Sequence, residues 1–272
     1  MIKQMNRNFM AVLVLALGLI PTAQAAPSDR DITQLLDISG VSAQISEFPL
    51  AIKEGIADAV DEGRISSDSA FKVQQQIDLS LNEAVILSDI SHALKTEMSA
   101  PEVDELLTWF DSEPGRRVTS EEAKASDADS QALMMAHVQS LMQDQSRMAQ
   151  AAQINKAAGV TEITLEMQKQ VASAIFVVLE RSSGEGDDID LDSFHRQLMM
   201  SEPETRQQID QMVTIALAFT YRNLDQSTLQ SYIRFLSQPT TQKFNRTVQQ
   251  SINNSIEQVV RQWAANMSVA AR

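Results

Sequence analysis

The sequence predicts an all-α fold built from two related helical repeats of about five helices each, and three observations carry that prediction. Only 8 glycines and 7 prolines occur in 272 residues, aromatics are few, and Ala, Gln, Leu, Met and Ser abound. Such a composition favours helix. Apolar residues recur at spacings of three and four, and no segment alternates as a half-buried strand would. Finally, Ser99-Ala-Pro-Glu-Val-Asp-Glu-Leu-Leu-Thr-Trp-Phe-Asp-Ser-Glu-Pro-Gly-Arg-Arg117 returns as Asp225-Gln-Ser-Thr-Leu-Gln-Ser-Tyr-Ile-Arg-Phe-Leu-Ser-Gln-Pro-Thr-Thr-Gln-Lys243, and upstream Gly40-Val41-Ser42 is matched by Gly159-Val160-Thr161. Two features displaced together point to a duplicated unit.

Residues 1–25 read as an export signal: Lys3 and Arg7 form a basic start, Phe9 to Ile20 an apolar core, and Ala23-Gln24-Ala25 a cleavage site. The apolar run is too short for a spanning helix of roughly 20 residues. Residues 26–146 are then the first repeat and 147–272 the second. The expected address is the periplasm, with cleavage after Ala25 and no membrane span.

The formal charge of −14 becomes −16 once residues 1–25, with two basic residues and no acid, are set aside. A chain this acidic is repelled by nucleic acid and by anionic lipid surfaces. With no cysteine in an oxidising compartment, stability must come from an apolar core.

Both repeats open alike. A short helix (Ile32 to Ile38, or Met148 to Ala158) reaches Gly40 or Gly159, each suited to a left-handed C′ position. Ser42 or Thr161 is expected to cap the next helix, with Val160 and Leu165 spaced as a hydrophobic staple. The helix after Thr161 shows Ile163, Met167, Val171, Ala174 and Val178 on one face. A long helix from about Asp68 to Glu97 would turn Val73, Ile77, Leu81, Ala84, Leu87 and Leu94 inward.

In the second repeat, Ser182 to Asp188 reads as an acidic loop, and Pro203 is expected to split the next helix. Its second piece, Glu204 to Arg222, carries Ile209, Met212, Val213, Ala216 and Phe219 or Thr220. Ser99 with Glu102 forms a capping box, and Asp225 caps the equivalent helix. Each of these helices runs to a proline (Pro114, Pro239) that can begin another. The last helix, Thr240 to Met267, bears Phe244, Val248, Ile252, Ile256, Val259, Trp263 and Met267 as a stripe. Its counterpart, Thr119 to Ser130, is polar and expected to be partly irregular, with helix resuming from Ser130 to Gln153.

The stretch Asp225-x3-Leu229-x5-Phe235-Leu236-Ser237-Gln238-Pro239-x2-Gln242-Lys243 resembles the signature of an exported bacterial family labelled domain of unknown function 2059, roughly T-x-x-E-L-x5-F-Y-x-S-P-x-G-x-K. Leu229, Phe235, Pro239 and Lys243 fall on their places, while Leu236 stands for the Tyr and Thr241 for the Gly. The first copy is looser: Val103, the Trp109-Phe110 pair, Pro114 and Arg117 match, with one extra residue before Pro114. The resemblance covers about twenty residues per copy. It implies a Gram-negative periplasmic setting and a helical fold, and no activity.

Arg117 and Lys243 fall in the first turn after a proline corner, where the helix dipole disfavours a cation. They allow an anion site with free backbone N–H groups, or a salt bridge whose aliphatic stem covers the aromatic pair; the acidity of the chain favours the salt bridge. Asp188-x-Asp190-x-Asp192 has calcium-loop spacing, but Ser193 and Met199 occupy the Gly and Glu positions, so a solvated acidic loop is the better reading. His195 with Met199 and Met134 with His137 could in principle hold a soft metal, yet no dense methionine array accompanies them, and methionine commonly fills irregular cores and adaptable grooves.

No nucleophile elbow, metalloprotease helix or phosphate-cradling loop is present, and His92, His137 and His195 have no matched nucleophile pattern. No catalytic, cofactor or metal residues are assigned. Trp109, Phe110, Pro114, Arg117, Phe235, Pro239, Lys243 and Trp263 are the candidate motif or interaction positions. The pattern points to a non-catalytic interaction or scaffold protein whose partner is another exported protein, with homo-oligomerisation open. The alternative is a carrier or holdase taking apolar ligands or unfolded clients in a Met-lined groove between the repeats. An enzyme of unrecognised type stands third.

Overall fold

Capping chemistry punctuates the chain into eleven described helices in the computed structural model, which describes residues 25–63, 65–68, 70–71, 74–75, 82–126, 130–183 and 190–269. They are α1 (Asp29–Ile38), α2 (Val41–Asp61), α3 (Glu83–Glu97), α4 (Ala100–Asp111), α5 (Glu113–Ala125), α6 (Ser130–Gln143), α7 (Gln145–Ala158), α8 (Val160–Ser183), α9 (Leu191–Thr220), α10 (Gln226–Leu236) and α11 (Pro239–Val269). The all-α fold class is as predicted, and no strand occurs among the described residues. Of the expected export signal, residues 1–24 lie outside them.

Gly40 and Gly159 hold left-handed backbone at φ 78° and 71°. Each ends one helix and at once starts the next, its carbonyl accepting the N–H of Gln44 or Ile163 at 3.0 Å. The expected caps on Ser42 and Thr161 are therefore corrected. The Ser42 hydroxyl instead reaches back to Asp37 at 2.6 Å. Thr161 is buried in a polar knot with Asn155 and Asp210 that ties α7, α8 and α9 together. Val160 does pack with Leu165.

Other boundaries also shift. Asn82 is an extended N-cap whose side chain accepts the Ala84 N–H, so α3 starts there. That restart resets the phase: Ile86, Ile90 and Leu94 are buried, Leu87 is half-buried and Ala84 is exposed, while Val73, Ile77 and Leu81 lie outside the described residues. Pro203 does not divide α9. It sits on the exposed side of the helix, where the carbonyl deprived of its donor can be solvated. Met212 on this helix is 53% exposed, and the buried set is Ile209, Val213, Thr214, Ala218 and Phe219. Among the described side chains of α8 the buried ones are Thr161, Leu165, Ser173 and Val177, while Ile163 and Val171 are half-buried and Met167 is 39% exposed. Helicity from Ser130 is interrupted at Asp144, whose carboxylate accepts the Arg147 N–H and begins α7. The polar stretch after Pro114 is regular helix α5, burying Gly115, Val118 and Glu121.

The two expected helix starts are present. The Ser99/Glu102 capping box opens α4, and Asp225 accepts the Thr228 N–H to open α10. Both corners share one register, an offset of 126 residues from Ala100 to Gln226 and from Glu113 to Pro239. The proline alone slides, to the second position of α5 in one copy and the first of α11 in the other. No residue is inserted before Pro114. Either site suits proline because first-turn N–H groups have no helical acceptor.

Helix contacts come in reciprocal pairs, the first within each stretch of the chain and the other two across them. Helix α1 packs on α4 as α7 packs on α10; α3 packs on α11 as α9 packs on α5; α5 packs on α10 as α11 packs on α4. The later helices thus bring the halves together. One apolar core runs through both, from Ile32, Leu35 and Ile90 to Leu229, Phe244 and Ile256. Among the described residues no helix is long and apolar enough to cross a membrane.

Candidate functional site

Two places concentrate the distinctive side chains: an aromatic seam between the halves and a groove on α8 and α9. The seam is made by the motif residues. Trp109 on α4 stacks on Phe235 on α10 with ring centroids 3.7 Å apart and planes 4° from parallel. Phe110 meets the same Phe235 edge-on at 5.4 Å, and Tyr232 lies 5.5 Å from Trp109. Phe235 is 2% exposed. Pro114 and Pro239 turn the chain away from this stack into α5 and α11.

The basic motif residues are exchanged between the copies. Arg117 donates to the Asp225 carboxylate at 2.5 Å and to the Thr228 hydroxyl at 3.0 Å. Lys243 donates to Glu102 at 3.0 and 3.1 Å. Each cation therefore binds the helix start of the other motif stretch, the N-cap in one case and the capping-box acid in the other. The salt-bridge reading holds and leaves neither cation to an anion site. Hydrogen bonds from Ser227, the Thr228 N–H and Arg117 hold the Asp225 carboxyl well below the usual carboxylate range. Burial pushes Glu102 up, but the Ser99 N–H and Lys243 outweigh it and leave the group lowered.

Beside the stack sits a polar cluster that sequence reasoning missed. Tyr221 and Tyr232 both donate to Glu122 Oε1, at 2.6 and 3.0 Å. Glu122 is half-buried as a residue, with its carboxyl group enclosed by the phenols; burial pushes that carboxyl up against the opposing pull of the two hydroxyls. Burial also raises both phenols well above their ordinary range. Asn223 donates to the neighbouring Glu121 at 2.8 Å. Arg147 donates to the carbonyls of Tyr221 and Leu224 at 3.1 and 3.0 Å, covering the C-terminus of α9. The signal for Glu122 was its place one residue after Glu121, on the face of α5 that carries Val118. An acid and two phenols could move protons, but Tyr221 is 3% and Tyr232 9% exposed, so the cluster locks the turn between α9 and α10.

The groove has a volume of about 390 Å³ and is walled by Met167, Gln168, Val171, Ala172, Ile175 and Phe176 of α8 and by Phe194 of α9. Phe176 and Phe194 stack at 4.2 Å with planes 3° apart. This groove lies within the second half; the contact between the halves, where a Met-lined groove was expected, is occupied by the aromatic stack. Met167 is 39%, Met199 64% and Met200 85% exposed.

On the same helix pair, Ser173 pairs with His195 Nε2 at 2.8 Å. This is not a hydrolytic dyad. Ser173 is 1% exposed, also bonds the Lys169 carbonyl at 2.7 Å, and sits mid-helix where backbone N–H groups are spent. His137 bonds the Leu133 carbonyl, and His92 is exposed on α3. Asp190 caps α9 through Ser193, and Asp188 lies outside the described residues. Among the described residues no group of three or more His, Cys, Asp or Glu side chains could hold a metal. Trp263 belongs to α11, but its side chain lies outside the described residues. Comparison with family models, curated proteins and solved structures found no match to the chain.

Proposed function

We propose that this is an exported, non-catalytic binding protein made of two related helical units, with the α8–α9 pair of the second unit as its working surface. The apolar groove carries the reading: six of its seven lining residues are apolar and Gln168 is the one polar wall residue, so it suits apolar matter. Six exposed methionines, Met135, Met142, Met167, Met199, Met200 and Met212, sit on α6, α8 and α9. Methionine is flexible and polarizable, which suits a surface that must fit varied partners. Duplication is supported by the shared register of the two corners, the reciprocal helix contacts and the exchanged ion pairs, a pattern that a two-fold dimer would show. Export to the periplasm rests on residues 1–25, and kinship with the domain of unknown function 2059 family on the motif residues.

A second reading, a carrier of a small apolar ligand, draws on the same groove, whose volume falls in the range of small-molecule sites. Native mass spectrometry of the protein purified without detergent tests both. A stoichiometric polypeptide adduct supports the binding protein, and an adduct of a few hundred daltons supports the carrier. A bare chain that also fails to take up an apolar fluorescent probe overturns the groove as the working surface.

A further inference from the structure

Taking the groove as the working surface, we infer that its occupant is an amphipathic helical segment of another polypeptide, with basic residues flanking an apolar face. Shape is the first ground. The α8 wall runs from Met167 to Phe176, ten residues whose nine steps of about 1.5 Å span about 13 Å. That length accommodates the anchors of about two turns of a docked helix, placed at i, i+3, i+4 and i+7. The stacked Phe176 and Phe194 give a rigid element at one end, and Met167 gives an adaptable one at the other.

Charge is the second ground, and it decides between occupants. The described residues of this helix pair, 160–183 and 190–220, contain eight acidic and four basic residues, a net formal charge of −4. Two of the basic residues there are already paired: Lys169 with Glu166 and Glu202, and Arg206 with Glu162 and Glu202. A fatty carboxylate or an anionic headgroup would meet a repulsive field at the groove. Lysines or arginines beside an apolar helix face would meet a favourable one, at a range set by the ionic strength.

The test uses the full mature protein and two synthetic amphipathic peptides with one apolar face, flanked by lysines in one and glutamates in the other. Binding is read by fluorescence anisotropy. The lysine peptide binds at least about tenfold more tightly, and that advantage shrinks between about 0.05 and about 0.5 M salt. Ala172→Arg, which fills the groove and repels a cation, abolishes binding. Met167→Ser, at an exposed position, weakens it about threefold with an unchanged circular dichroism spectrum. Equal affinity for the two peptides, or binding indifferent to Met167→Ser, overturns the inference. Groove-dependent binding of a fluorescent fatty acid without binding of the lysine peptide overturns the partner class and leaves the groove as the working surface. Failure of both probes on the unaltered protein removes both.

Discussion

Replacing Phe235 with alanine tests the seam at its centre. The ring is 2% exposed, stacked 3.7 Å from Trp109 and met edge-on by Phe110 at 5.4 Å. Removal of a buried phenylalanine costs about 3–5 kcal/mol, more where the site cannot collapse. Here the cavity is faced by a flat indole held on α4, which can shift little because α4 also packs on α1 and α5. A loss of about 4 kcal/mol follows, corresponding to a drop in melting temperature of roughly 8–16 °C for a chain of this size. Phe235→Leu keeps most of the volume and loses the stack, at about 1 kcal/mol. Urea denaturation followed by circular dichroism, with both variants beside the unaltered protein, gives the two differences. A loss under about 0.5 kcal/mol for Phe235→Ala would mean that the ring does not hold the halves together.

Three other perturbations address the remaining contacts. A Cβ on Gly115 would lie 2.2 Å from the Trp109 carbonyl oxygen and 2.8 Å from that of Phe110, so Gly115→Ala should destabilise by about 1–3 kcal/mol in thermal melts; the one-residue corner between α4 and α5 leaves no room, whereas Thr241 fits the two-residue corner before α11. Glu122→Gln keeps an acceptor for both tyrosines and removes a buried charge. Because burial raises the folded-state pKa of Glu122, its proton stabilises the fold at acidic pH and that contribution is lost as pH rises through the raised value. Glu122→Gln should therefore raise the melting temperature at neutral pH, with the gain vanishing in acid; a lower melting temperature at neutral pH would contradict this. A double-mutant cycle on Glu102→Gln and Lys243→Met, which keeps the capping box through glutamine, should give a coupling of about 0.5–1 kcal/mol by denaturation, and zero coupling would deny the exchange a role.

What could be read from the chain is what acts within a turn or two. Ser99 with Glu102, Asp225, Gly40, Gly159 and the two prolines mark helix ends through local hydrogen bonds and fixed dihedrals, so the corners were legible. Register inside a helix was less so. The apolar stripe assigned to one helix from Asp68 onwards ignored Asn82, whose side chain takes the first free N–H and restarts the count, and Ile86, Ile90 and Leu94 became the inner face. Pro203 misled because solvent can satisfy the carbonyl it orphans. The exchange of Arg117 and Lys243 between copies was illegible because the partners are 108 and 141 residues away. Glu122 escaped notice since its two phenols come from α10 and the turn before it, and a glutamate pair in a polar stretch looks like surface. The groove depends on α8 exposing part of the face that periodicity alone would bury.

Methionine methyl NMR on the full mature protein would test the groove as the binding surface most directly. Met167 lines the groove and Met98 is 3% exposed in the core, so the two report on occupied surface and on global change. Titration with the lysine-flanked amphipathic peptide should shift the Met167 methyl resonance to saturation and leave Met98 in place. A Met167 signal unmoved at saturation, or equal shifts at both residues, would show that binding occurs elsewhere or by loosening the fold.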